Sequence, residues 1–260
     1  MSLTVFAVHA HPDDIEFVMS GTLFMLAERG CSIHYMNIAN GCCGSMEHSR
    51  EETAALRAEE ARAAAAYLGA AFYPSLVNDL EVFYDNPSLQ RLAAIMREVA
   101  PDIVLTASPQ DYMEDHMNAC RLAVSTAFVM GMPNYITDPP QKAVGKDVAV
   151  YHAMPHGLRD GLCNPIYPDF YVDVGSMLDK KEAMLACHAS QKDWLDRTQG
   201  FDSYLEAMKS MTADMGSLSG RFTYAEGWRR HVHLGYSKKP WDPLGELLAD
   251  STYTAEMQGV

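Results

Sequence analysis

Basic residues are scarce in this sequence. Only 20 Lys and Arg stand against 34 Asp and Glu, a formal net charge of −14. A main partner made of nucleic acid or anionic membrane calls for a basic patch, so both are disfavoured. No apolar run approaches the roughly 20 residues that span a bilayer. The N-terminus has neither a basic region nor a long apolar segment, and it meets charged residues by Asp13. A signal peptide is therefore not expected, and the cytoplasm is the expected compartment. Cysteines are few and badly spaced for a structural zinc site: Cys31, Cys42, Cys43, Cys120, Cys163 and Cys187 contain no Cys-x-x-Cys pair. In a chain this long they read as reduced thiols. Adjacent Cys42 and Cys43 are either small loop residues or redox-active groups close to a pocket. Internal repeats and low-complexity segments are also missing.

What is present is a chain of 260 residues with 48% hydrophobic content, enough to bury one large α/β core. Its organising stretch is Val8-His9-Ala10-His11-Pro12-Asp13-Asp14-Ile15-Glu16. The run Thr4–Val8, β-branched and aromatic, reads as a buried strand. Pro12 stops it, having no N–H to give a sheet. A histidine and two carboxylates thus fall where a first strand ends, and open α/β sheets bind ligands at the carboxyl ends of their strands. Imidazole nitrogen and carboxylate oxygen form a workable set of divalent-metal ligands. The second carboxylate is then free to act as a base. The plainer alternative is a turn whose Asp residues cap the following helix.

Further along, helices and strands alternate. Helices are expected over Ser20–Gly30, Glu51–Leu68, Pro87–Ala100, Asp115–Gly131, Met177–Ala189 and Gln199–Met211. Strands are expected at Ser32–Ala39, Ala71–Tyr73, Ile103–Leu105, Val148–His152 and, last, Phe170–Val174. This alternation predicts a Rossmann-like three-layer α/β fold with a mostly parallel sheet. Residues 1–236 form one domain in this reading. Residues 237–260 are a tail with Pro240, Trp241 and Pro243 that packs on the body or on another subunit, which leaves a homo-oligomer open. His116 follows the other loop at a carboxyl end with two acids, and site logic makes it a metal ligand rather than a solvated helix-start residue. The loops over Gly131–Pro168 hold His152 and His156, either of which lines the pocket or is an ordinary loop residue.

The motif Ala10-His11-Pro12-Asp13-Asp14, with Asp111-Tyr112-Met113-Glu114-Asp115-His116 about a hundred residues on, resembles the LmbE-like, or PIG-L, family of zinc-dependent N-deacetylases. The resemblance runs roughly from Leu3 to Gly235. It implies that His11, Asp14 and His116 hold Zn2+ or another divalent metal, with Asp13 as general base. It implies as substrate an N-acetylated amino sugar, whose aglycone nothing in the sequence selects. Another metal-dependent amide hydrolase of a small non-sugar molecule is the alternative, and a non-catalytic metal- or sugar-binding protein a third. By the same resemblance Arg57, in Arg-x-x-Glu with Glu60, contacts the substrate; without it the two are a surface ion pair. One departure stands out. Many members carry His-Pro-Asp-His where this chain has Met113 at the first position, and a thioether donates no proton. His188, in the family-like His-Ala-Ser-Gln sequence, is the expected replacement donor, with Tyr112 as the other.

Overall fold

The computed structural model describes residues 2–191 and 204–254. In chain order they form β1 (Thr4–His9), α1 (Asp14–Val18), α2 (Ser20–Glu28), β2 (Ser32–Asn37), α3 (Arg50–Leu68), β3 (Ala71–Tyr73), α4 (Asn86–Val99), β4 (Ile103–Thr106) and α5 (Glu114–Val129). There follow β5 (Ala149–Ala153), β6 (Phe170–Asp173), α6 (Leu178–Leu185), α7 (Tyr204–Ser219), β7 (Ala225–Arg230), α8 (Pro243–Leu247) and β8 (Thr252–Tyr253). Of the helix expected over 199–211, residues 199–203 lie outside the described residues.

The eight strands make one sheet, β3-β2-β1-β4-β5-β7-β6-β8. Neighbours from β3 to β5 pair in parallel, whereas β7 pairs antiparallel with both β5 and β6. The expected α/β architecture with a mostly parallel sheet is present. Phe170–Asp173 is not the last strand, however. Ala225–Arg230 was not expected to be one, because Glu226, Arg229 and Arg230 break its apolar pattern. A strand flanked on both sides draws its stability from the ladder, and its charged residues find partners of their own.

Side chains alternate across β1. Val5 and Ala7 enter one core with residues of α2, α3 and α6; Phe6 and Val8 enter the other with residues of α4 and α5. That two-sided burial is why β1 reads as a continuous apolar run. Leu244 and Leu248 pack into the first core, and β8 pairs with β6, so residues 244–253 are integrated with the body. Local signals set the helix ends. Ser49 and Glu52 form a reciprocal capping box at α3, and Gly69 ends that helix at φ +76°. Sheet order reverses direction between β1 and β4, so the crevice for a ligand opens above those two strands.

Candidate active site

The loop after β1 and the start of α5, which follows β4, face each other across this crevice. Asp14 stands at its centre. Its Oδ2 lies 2.7 Å from His9 Nδ1, 3.4 Å from His11 Nδ1 and 3.4 Å from His116 Nε2. The His11 backbone N–H also donates to that oxygen, at 2.7 Å. Burial acts to raise the Asp14 pKa, but His116, His9 and His11 outweigh it and hold the carboxyl well below its usual range.

Two histidines turn their other ring nitrogen to a further carboxylate. His11 Nε2 lies 3.1 Å from Asp115 Oδ2, and His116 Nδ1 lies 3.1 Å from Asp111 Oδ1. Burial opposes protonation of both. For His11 the carboxylates of Asp115 and Asp14 override it and bring the pKa up to about 10. His116 is raised likewise by Asp14 and Asp111. The cluster thus calls for positive charge, from protons or from a cation.

Asp13 has the opposite environment. Its backbone sits at φ +103°, which costs a residue other than glycine about 1–3 kcal/mol. The side chain is buried, and burial is the main reason its pKa is raised, with the Asp14 charge adding to it against the opposing pull of Arg57. Tyr204 Oη donates to Asp13 Oδ2 at 2.6 Å. Asp13 and Asp14 are adjacent in sequence, yet their environments drive the two carboxyls apart, the pattern that separates acid–base work from cation holding.

Arg57 lines the cavity, but its donors face inward. It donates to the Pro12 and Gly41 carbonyls and lies 3.3 Å from Asp13 Oδ2. The guanidinium thereby ties the loop after β1 to the loop after β2. Gly41 is required there: its φ is +74°, and a Cβ would fall 2.5 Å from Arg57 Cδ. His188 was expected above the metal ligands. It lies instead fully buried beneath, its Nε2 3.2 Å from Glu16 Oε1, and it is not a lining residue of the cavity. The cause is α1, whose Glu16 points into the interior between Tyr35 and His188. Tyr112, by contrast, lines the cavity and packs edge-on against His116, ring centroids 5.7 Å apart.

The cavity measures about 620 Å³, room for a small molecule. Met113, His156 and Arg159 also line it, whereas His152 lies in β5 behind it. Sequence reasoning did not single out His9, Tyr204, Asp111 or Asp115. The spacing His9-Ala10-His11 at a strand end was a usable signal for the first. Nothing local marks Tyr204, which arrives from α7.

An α/β sheet with histidines and carboxylates gathered at the ends of β1 and β4 defines a class of enzyme-like folds, and the comparisons narrow it. Residues 6–128 match the family model described as PIG-L, GlcNAc-PI de-N-acetylase. The chain is 32% identical over 193 residues to the 4-oxalmesaconate hydratase of Pseudomonas putida, covering 71% of this chain and 72% of that one. It is 27% identical over 232 residues to the diacetylchitobiose deacetylase of Thermococcus kodakarensis, covering 86% and 82%. Among solved structures, the 4-carboxy-2-hydroxymuconate hydratase of Pseudomonas putida superposes with a TM-score of 0.75 at 25% identity, over 93% of this chain and 99% of that one. The protein belongs to the PIG-L (LmbE-like) family.

Proposed function

We propose that this protein is a metal-dependent hydrolase that removes the acetyl group from an N-acetylated amino sugar. One observation carries the reading: two neighbouring carboxyls, one ionised among histidines and one protonation-prone and strained, open onto a cavity of sugar size. His11, Asp14 and His116 would hold the ion. His9, Asp14 and His116 offer ligand atoms that all lie within 4.8 Å of one another. His11 is nevertheless the better third ligand. Like His116, it has a carboxylate at its second nitrogen, the arrangement that orients metal-bound imidazoles. His9 Nδ1 already meets Asp14 and the Ala10 N–H. Nitrogen and oxygen donors with three protein ligands suit zinc with an open position. A divalent ion held there supplies Lewis acidity toward a carbonyl oxygen.

Asp13 takes the proton of the attacking water and returns it to the departing amine. Tyr204 fixes the carboxyl through its hydrogen bond, and Arg57 balances its charge. Tyr112 supplies the proton-bearing donor that Met113 cannot: a phenol is protonated at neutral pH, and desolvation at the cavity wall with the charges of Asp14, Asp111 and Asp13 pushes its pKa further up although the ring stays partly exposed. Arg57 reaches the substrate at most through the loops it holds. His188 acts behind Asp13 as a positioning residue.

A second reading, water addition to an unsaturated carboxylic acid, is favoured by the 32% identity to the hydratase. The test is to supply zinc-loaded protein with N-acetylglucosamine and its β-linked dimer, and to measure acetate and free amine with and without chelator. Chelator-sensitive acetate release is expected. No acetate, together with hydration of an unsaturated dicarboxylic or tricarboxylic acid, would replace the first reading by the second.

A further inference from the structure

A second group of metal-type ligands stands at the rim of the same cavity. Cys42, Cys43 and Asp79 offer a sulfur, a sulfur and a carboxylate oxygen, all within 4.8 Å of one another. They come from the loop after β2 and the loop after β3, brought together by the parallel pairing of those strands. Asp79 is fixed in place: Gly41 N–H donates to its Oδ1 at 2.6 Å and Cys43 N–H to its Oδ2 at 2.9 Å. Each of those oxygens keeps a lone pair. Arg50 Nε donates to Cys42 Sγ at 3.1 Å. Cys42 is buried, whereas Cys43 is exposed and lines the cavity with Asp79, so an ion has a path in.

The sulfur separation fits one use of an adjacent cysteine pair, chelation. Cys42 Sγ and Cys43 Sγ are 3.9 Å apart. A disulfide needs about 2.05 Å, far shorter. Two metal–sulfur bonds of about 2.3 Å at the tetrahedral angle place their sulfurs about 3.8 Å apart. The pair is therefore spaced as two corners of a tetrahedral dithiolate, with Asp79 as a third corner and solvent at the fourth.

We propose that Cys42, Cys43 and Asp79 form a second metal site, separate from the histidine cluster and selective for a thiophilic divalent ion such as zinc or cadmium. Two thiolates select soft or borderline ions over magnesium and calcium. Binding exchanges the thiol protons for one ion, and the protons leave to solvent. Both thiols must lose their protons to bind, so occupancy rises with pH.

The test is a cadmium titration of the protein with its histidine site already loaded with zinc. One further equivalent should bring up the ultraviolet thiolate-to-cadmium charge-transfer band, which nitrogen and oxygen ligands do not give. Under the same conditions cadmium should slow alkylation of Cys43 by iodoacetamide at least tenfold, while exposed Cys163 reacts at an unchanged rate. Cys43→Ser should abolish the band and Cys163→Ser should keep it. A band that survives Cys43→Ser, or Cys43 alkylation unaffected by saturating cadmium, overturns the proposal. Neither outcome bears on acetate release, which is governed by the other site. Alkylation uses the unaltered chain, so the result stands even if a variant folds poorly.

Discussion

At the scale of single residues, the site is built on opposed environments for like groups. Asp13→Asn keeps the shape, the Tyr204 contact and the neighbouring histidines, and it removes the carboxyl proposed as base. Bound metal should stay at one equivalent by elemental analysis while kcat falls about 10²-fold or more. A near-normal rate with metal in place would reduce Asp13 to a strained turn residue. Tyr112→Phe removes one hydroxyl from the cavity wall, and the loss of one oxyanion donor costs about 10²–10³ in kcat. KM should move little, because the donor matters most as charge develops on the oxygen. If kcat is unchanged and KM rises, Tyr112 only packs against the substrate. For the proposed ligands, His11→Ala and His116→Ala should lose the metal, whereas His9→Ala should retain most of it. The reverse result for His9 and His11 would exchange their roles. That His11 and His116 meet at Asp14 was legible in the sequence because both follow strand ends. The carboxylates behind them, Asp115 and Asp111, were legible only as nearby acids, since which nitrogen an acid meets is a matter of three-dimensional packing.

Among elements, β7 is where sequence reasoning fell short, and it holds one end of the fold together. Glu226 accepts the Gly21 and Thr22 N–H groups at the start of α2, at 2.9 and 2.7 Å, where the helix dipole favours a negative charge. The same carboxylate meets the ammonium of Lys181 on α6, a fully buried cation. Charge in a strand lowered its visibility, yet here that charge is what joins β7 to two helices. Glu226→Gln leaves Lys181 buried without its counter-ion and should destabilise the protein by about 3–5 kcal/mol in denaturant unfolding. A loss under about 1 kcal/mol would mean that water or another acid compensates. α4 was readable because burial follows its apolar spacing, α3 because it is alanine-rich and ends at Gly69, and the parallel strands because they are short apolar, β-branched runs. The β5–β7 seam also carries a pH dependence. His152 lies 3.0 Å from the Ala107 carbonyl and 2.9 Å from His231 Nδ1, and burial brings its pKa down to about 4. The unfolded chain therefore binds a proton near pH 6.5 that the fold refuses until about pH 4. His152 leaves stability unaffected above pH 6.5 and should lower it by roughly 3 kcal/mol as pH falls across that window. His152→Gln should flatten this part of the stability–pH curve. An unchanged curve would place the titration elsewhere.

For the whole molecule, charge separates the two candidate chemistries more sharply than fold does. The net charge is −14, and the cavity lining contains Asp13, Asp14, Asp79, Asp111 and Asp160 against Arg57, Arg159 and the positive charge that the His11 and His116 cluster holds as protons or a cation. Of the two arginines Arg57 is engaged with Asp13 and two backbone carbonyls, and Arg159 donates to the Cys163 carbonyl at 2.8 Å. Among the described residues no helix is long and apolar enough to cross a membrane. A neutral N-acetyl sugar approaches such a surface without an electrostatic barrier. A polycarboxylate is repelled at long range by the chain's net charge of −14, and the Debye length of about 10 Å at 0.1 M salt makes that repulsion adjustable. With a neutral acetylated sugar, kcat/KM should stay within about twofold as salt rises from 0.01 to 0.3 M. With a carboxylated substrate it should climb several-fold over the same range, as screening removes the barrier. A fall in kcat/KM with salt for a carboxylated substrate would mean that Arg159 and the metal together present a net positive face to the ligand. That outcome would move the balance to hydration of an unsaturated acid, with the same fold and the same carboxyl pair used on a different bond.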